Sequence, residues 1–201
     1  MELFIKRVLF FSTIFFVYFF IACWIDPFNI IHREHNPSLM KKKIEISFKI
    51  NPILYNLQKY KENPTDVILL GDSRTIELRA SKIENLTQKK ATNLGIGGGT
   101  IPEIIETFWY ISNMHELKEV YIGINFNLYN EHNRNNRVNE AIKLRESPIS
   151  YLCSQYCYES LFLIIKSIIT KKKDQIGTPK LNKEEFWKYS LKDFDKFYAL
   201  Y

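Results

Sequence analysis

The stretch Asp66-Val67-Ile68-Leu69-Leu70-Gly71-Asp72-Ser73-Arg74-Thr75 constrains the fold of this chain more than any other. A run of branched apolar residues without alternation is the pattern of a strand buried on both faces, as in a parallel sheet. It stops at Gly-Asp-Ser, where the glycine permits a tight turn and Asp72 or Ser73 can cap a following helix. Taken alone, the motif is adequately explained by Ser73 serving as a helix cap. The other reading is a serine held on an exposed corner beside helix N–H donors, the setting a nucleophilic serine requires.

Two further strand ends follow. Ala91-Thr92-Asn93-Leu94 runs into Gly95-Ile96-Gly97-Gly98-Gly99-Thr100, and a helix is expected from Pro102, a residue suited to a first turn. Ile101, Ile104, Ile105, Phe108 and Trp109 recur at helical spacing and predict its core-facing stripe. Lys118 to Asn125 predicts the third strand, and a helix is expected between the first two over Thr75 to Leu86. Strand, helix, strand, helix, strand at these lengths implies right-handed crossovers and a parallel sheet. Of the seven glycines only Gly177 lies away from these strand ends, and open α/β sheets bind ligands at that edge. Gly95 to Gly99 lacks both the dinucleotide fingerprint and a Gly-Lys-Ser/Thr ending, so nucleotide binding is not expected, and a plain tight turn is the simpler alternative.

A second constraint lies at the N-terminus. Lys6-Arg7 precede Val8 to Ile25, a run without charge in which only Ser12 and Thr13 would form a polar stripe. At roughly 18 residues it reaches the minimum for crossing a hydrocarbon core. The basic pair before it and Asp26 after it predict a single-pass signal anchor with its N-terminus cytoplasmic and the bulk of the chain extracytoplasmic. A cleaved signal peptide competes, but no small-x-small site follows; Phe20-Ile21-Ala22-Cys23 only faintly matches a lipoprotein processing site. The organisation is then 1–7 cytoplasmic tail, 8–25 transmembrane anchor, 26–64 juxtamembrane helical linker, 65–125 α/β core and 126–201 helix and loop. In the linker, Asp26-Pro27 breaks the first helix, and one or two short helices are expected between Ile44 and Tyr60, interrupted at Pro52.

The 201-residue chain carries a net charge of +6, with Lys41-Lys42-Lys43 and Lys171-Lys172-Lys173 read as solvated surface. No basic-aromatic module argues for nucleic acid. Three cysteines, Cys23, Cys153 and Cys157, form neither a disulfide framework nor a metal set; Cys153 and Cys157, one helical turn apart, are expected as packed thiols. No cofactor or metal is expected. Ile149 to Ile169 carries an apolar stripe, Leu161, Ile164, Ile165, Ile168 and Ile169, expected to pack on a core.

Together the strand-end blocks resemble the SGNH (GDSL-type) hydrolase family. Gly71-Asp72-Ser73 matches its first block, and Asn93, Gly95, Gly98 and Thr100 match its Asn-x-Gly-x-x-Gly-x-Thr block. Gly123 and Asn125 match part of a Gly-x-Asn-Asp block, with Phe126 in place of the last residue. The resemblance covers Asp66 to Asn125. It implies an α/β, flavodoxin-like three-layer sandwich, here incomplete, with three strands where the family has about five. The Gly-Asp-Ser-Arg-Thr form and the anchor followed by Asp-Pro resemble a membrane-anchored, extracytoplasmic branch associated with acyl or acetyl transfer onto cell-envelope polymers. The resemblance implies Ser73 as nucleophile and the Ser73 N–H, Gly98 N–H and Asn125 side chain as oxyanion donors. Asp72 and Asn93 give flanking support. The implied substrate is a glycan or related ester, and the implied partner a membrane-bound acyltransferase.

The family's late Asp-x-x-His block, which supplies the base, is missing. Of the four histidines, His32 and His35 precede the first strand and His115 belongs at the opposite sheet edge. His132, in the polar loop Asn130 to Asn133, is on the correct side. The expectation is a truncated or diverged chain with little hydrolysis. The rivals are a non-catalytic binding or assembly component of a polymer-modifying machine, or a plain membrane-anchored structural protein.

Overall fold

The computed structural model describes residues 2–32, 36–129 and 135–170. His35, His132 and Lys171 to Tyr201, on which several expectations fall, lie outside the described residues.

Helix α1 (Glu2–Ile25) ends where Asp26 takes a φ of 38°. It leads through Pro27-Phe28-Asn29 to α2 (Pro37–Ile50) and α3 (Pro52–Glu62), each opened by an asparagine cap and a proline in its first turn. The elements then run β1 (Val67–Gly71), α4 (Ser73–Ile76), α5 (Ala80–Thr87), β2 (Ala91–Asn93), α6 (Ile101–Met114) and β3 (Glu119–Gly123). After a 3-10 turn at Phe126–Tyr129 come α7 (Arg137–Glu146), α8 (Pro148–Leu152) and α9 (Gln155–Ile169).

The sheet has the order β2-β1-β3, with β1 parallel to both neighbours, so the parallel α/β expectation holds. β1 is buried along its whole length, the reason its sequence shows no polar alternation. On one face Val67 and Leu69 pack with Ala91, and Ala80 and Ile83 of α5 close over them. Ile68 and Leu70, on the opposite face by strand alternation, are equally buried. Around the sheet, α3 packs on α7 and α6 on β1 and α7. One compact unit spans Met1–Ile164; of the second, Ile165–Tyr201, the described part is the end of α9.

Several expectations are corrected. The helix expected over Thr75 to Leu86 is two helices, because a break at Leu78-Arg79 separates α4 from α5. The stripe on α6 is offset: Ile104 and Ile111 are buried with Glu103 and Thr107, while Ile105 and Trp109 are 50% and 59% exposed. The helix turns because the Glu103 carboxylate is drawn inward by α7. Cys153 closes α8 and is exposed, whereas buried Cys157 lies on α9, so the two share no helix face. Lys43 is not solvated but fully buried. Among the described residues no helix is long and apolar enough to cross a membrane, so the single span expected over Val8 to Ile25 gains no support there.

The turn after α1 is tied down from three sides. Asp26 Oδ2 accepts from the backbone N–H groups of Ile31 and His32, at 2.7 and 3.0 Å. The Ser47 hydroxyl donates to the Pro27 carbonyl at 2.6 Å, and Gln58 Nε2 to the Asn29 carbonyl at 2.6 Å. Tyr151 of α8 accepts the Phe28 N–H at 3.2 Å. Tyr18 of α1 donates its hydroxyl to the Leu152 carbonyl at 2.7 Å.

Candidate functional site

The C-terminal ends of the three strands converge on one rim. Gly71 and Gly123 are register partners at the ends of β1 and β3. The Ile96 N–H donates to the Gly71 carbonyl at 2.9 Å, joining the glycine bend after β2 to the same point.

Asp72, only 9% exposed, caps α4: its Oδ1 accepts the Arg74 N–H at 3.0 Å. Of the two possible caps, Asp72 therefore takes the role and Ser73 becomes the first helical residue. Asn125 Nδ2, from beyond β3, donates to the other oxygen of Asp72. The Asp72 carboxylate thus joins the serine turn to the third strand end. Ser73 is exposed, and neither its hydroxyl nor its N–H bonds to any described residue.

Thr75 fixes this turn from below. A β-carbon on Gly71 would lie 2.0 Å from Thr75 Oγ1, and one on Gly123 would lie 2.2 Å from it. The two glycines leave a slot that the threonine fills, a close approach no larger residue permits. Asn93 holds the turn from the β2 side: Nδ2 donates to the carbonyls of Thr75 at 2.6 Å and Leu78 at 2.7 Å, while Oδ1 accepts the Gly95 N–H at 2.9 Å. Its geometry is that of a strut.

The glycine bend is a four-residue turn closed by Gly99 N–H to the Ile96 carbonyl at 2.8 Å. Gly98 occupies its third position with φ of 61°, which favours glycine. Space around Gly98 is open, and its N–H is unbonded among the described residues. Behind the bend lies a pair that sequence reasoning missed. Glu103, completely buried, receives Arg137 Nε at 2.7 Å, Arg137 Nη2 at 3.0 Å and the Arg137 N–H at 3.0 Å. Arg137 Nη2 also reaches the Gly97 carbonyl at 3.1 Å. Burial pushes the Glu103 carboxyl up, but the Arg137 hydrogen bonds outweigh it and hold the group below the usual carboxylate range. Thr100-Ile101-Pro102-Glu103 is a capping box, with Thr100 Oγ1 accepting the Glu103 N–H at 3.3 Å and Glu103 Oε2 accepting the Thr100 N–H at 3.1 Å. The Thr-x-x-Glu pattern is the signal that could have found Glu103; its partner Arg137, more than thirty residues later, carries no local signal.

The structure thus gathers Asp72, Ser73, Asn93, Gly98 and Asn125 around one rim. It brings no described histidine to it. His115 Nε2 lies 3.2 Å from Asp66 Oδ1, just before β1 begins and so at the opposite edge of the sheet. Lys118 first, then His115, holds the Asp66 carboxyl below its usual range. His32 lies beside Asp26 near the end of α1, its ring 3.8 Å from Oδ2. No group of three or more His, Cys, Asp or Glu suited to a metal ion occurs among the described residues. No known protein family model matches the chain, and neither a curated protein nor a solved structure does.

Proposed function

We propose that this chain is of SGNH-type lineage, an esterase or acyltransferase that carries an acyl group on Ser73, anchored to a membrane by α1 and facing an envelope glycan or related ester. In the reaction Ser73 Oγ attacks the ester carbonyl, the bond to the leaving oxygen breaks as the acyl-serine forms, and the serine hydroxyl proton ends on the departing alkoxide, which leaves as the alcohol. The donors proposed for the resulting oxyanion are the Ser73 and Gly98 N–H groups, both unbonded among the described residues. Each such donor is typically worth about 3 kcal/mol of barrier. The observation carrying this reading is the exposed, unbonded Ser73 hydroxyl on a turn whose Asp72 carboxylate is engaged on both oxygens, by the Arg74 N–H and by Asn125. Asn125 supports the site through Asp72 and is a weaker candidate for direct oxyanion contact.

Anchoring is supported by the uncharged Val8 to Ile25 run and by the outward aromatic side chains of α1, with Phe16 74%, Phe20 66% and Trp24 71% exposed. Exposed apolar surface of this density marks an interaction site in a folded chain.

A second reading is favoured by the missing histidine at the rim among the described residues: a non-catalytic binding component that uses the glycine-rich strand ends. A serine-reactive fluorophosphonate probe separates the two. Labelling of the full chain but not of Ser73→Ala supports a live nucleophile; absence of labelling in both overturns the catalytic reading and leaves the binding one.

A further inference from the structure

We propose that the groove between α1 and the α8–α9 corner takes a lipid acyl chain, so that the outer face of α9 lies against the same bilayer as α1. This rests on the anchoring proposed above and goes beyond it, since α9 is no part of the anchor.

The groove has a volume of about 560 Å³. Ile14, Phe15, Tyr18 and Phe19 form one wall, Cys153 and Tyr158 are on the other. Phe15 and Phe19 pack ring to ring at 5.7 Å and make that wall continuous. The Tyr18–Leu152 hydrogen bond fixes the corner against α1. Depth then follows from helix geometry. Tyr18 is seven residues before Ile25, so with Val8 to Ile25 in the hydrocarbon it lies roughly 10 Å inside the outer boundary. Whatever is bonded to Tyr18 lies at a similar depth, the range in which interfacial helices sit.

The side chains agree with that placement. On α9, Cys157, Leu161 and Ile164 face inward and are buried, while Tyr158 and Phe162 are 59% and 58% exposed one turn apart. An amphipathic helix in water shows polar groups on its outer face; here Tyr158 and Phe162 stand at the middle of that face, with exposed Gln155 at its start. Two polar groups at the corner find partners within the chain, as lipid favours: Gln155 Nε2 donates to Glu159 at 2.5 Å, and the Tyr18 hydroxyl to Leu152 at 2.7 Å. At 15 residues α9 is too short to span and suits an interfacial position.

The test uses the full chain in phosphatidylcholine vesicles containing doxyl-labelled acyl chains. The native cysteines are replaced, buried Cys157 by alanine, and a bimane is placed in turn at Phe16→Cys, Tyr158→Cys, Phe162→Cys and Leu86→Cys. Leu86 is 81% exposed on α5 and serves as the aqueous reference. Quenching of the Tyr158 and Phe162 probes several-fold above Leu86 and close to Phe16 is the expected result. Quenching at Phe16 with Tyr158 and Phe162 like Leu86 overturns the groove proposal alone. No quenching at Phe16 overturns the anchor as well.

Discussion

Thr75 occupies a slot that exists only because β1 and β3 both end in glycine. Gly71→Ala would place a methyl group 2.0 Å from Thr75 Oγ1 and 2.9 Å from the Gly123 carbonyl, on a backbone with φ of 152°, and is expected to destabilise by about 3 kcal/mol through overpacking added to backbone strain. Gly98→Ala meets nothing within 4 Å and bears only the left-handed backbone, about 1 kcal/mol. Chemical denaturation of the two variants should show that order; equal losses would remove the wedge. Arg137→Ala strands the buried Glu103 carboxylate. About 3 kcal/mol should be lost, the low end for a broken buried pair, because the Arg137 side chain is 48% exposed. The carboxyl of Glu103 titrates lower in the folded chain than in the unfolded one. Its contribution is therefore present above the usual carboxylate range and is lost as pH falls through the folded value. Unfolding measured across acid pH should be less pH-dependent in Glu103→Gln than in wild type. Ser73 and Asp72 were legible as a capped turn because Gly-Asp-Ser interrupts an apolar run. Thr75 was not, since nothing local says that a threonine will sit between two strands.

At the scale of elements, the three strands were legible from runs of branched residues ending in glycine, and the parallel order from the helices between them. What failed was facing. The apolar period of α6 pointed to Ile105 and Trp109, but a buried ion pair with α7 rotated the helix, and such a partner leaves no mark in the local period. The break between α4 and α5 was hidden because Leu78 and Arg79 fit a helix, and only the Asn93 amide drawing on the Thr75 and Leu78 carbonyls explains it. β3 shows what an uncovered strand looks like: Tyr121 and Ile122, on opposite faces, are 42% and 48% exposed, and Ile124 beyond it is 63% exposed. Its outer edge has no partner strand among the described residues. Such an edge templates association. Ile124→Lys should reduce self-association of the detergent-solubilised chain in light scattering, with stability changed by no more than about 0.5 kcal/mol. Unchanged association would show that this edge is not the contact.

For the whole molecule, the proposed topology sets which residues meet which side of a membrane. In intact cells a membrane-impermeant maleimide should modify Leu86→Cys and fail at Lys6→Cys, with native cysteines replaced; the reverse pattern overturns the orientation. The described structure also decides how such a body would be carried. A domain on a loose leash samples a volume set by its linker length. This one has no leash at that point, because Pro27, Asn29 and Phe28, just after α1, are bonded to α2, α3 and α8 respectively. On the proposed topology the serine rim therefore has one reach: it sits at a set height and bearing above the lipid, and a substrate must be presented there.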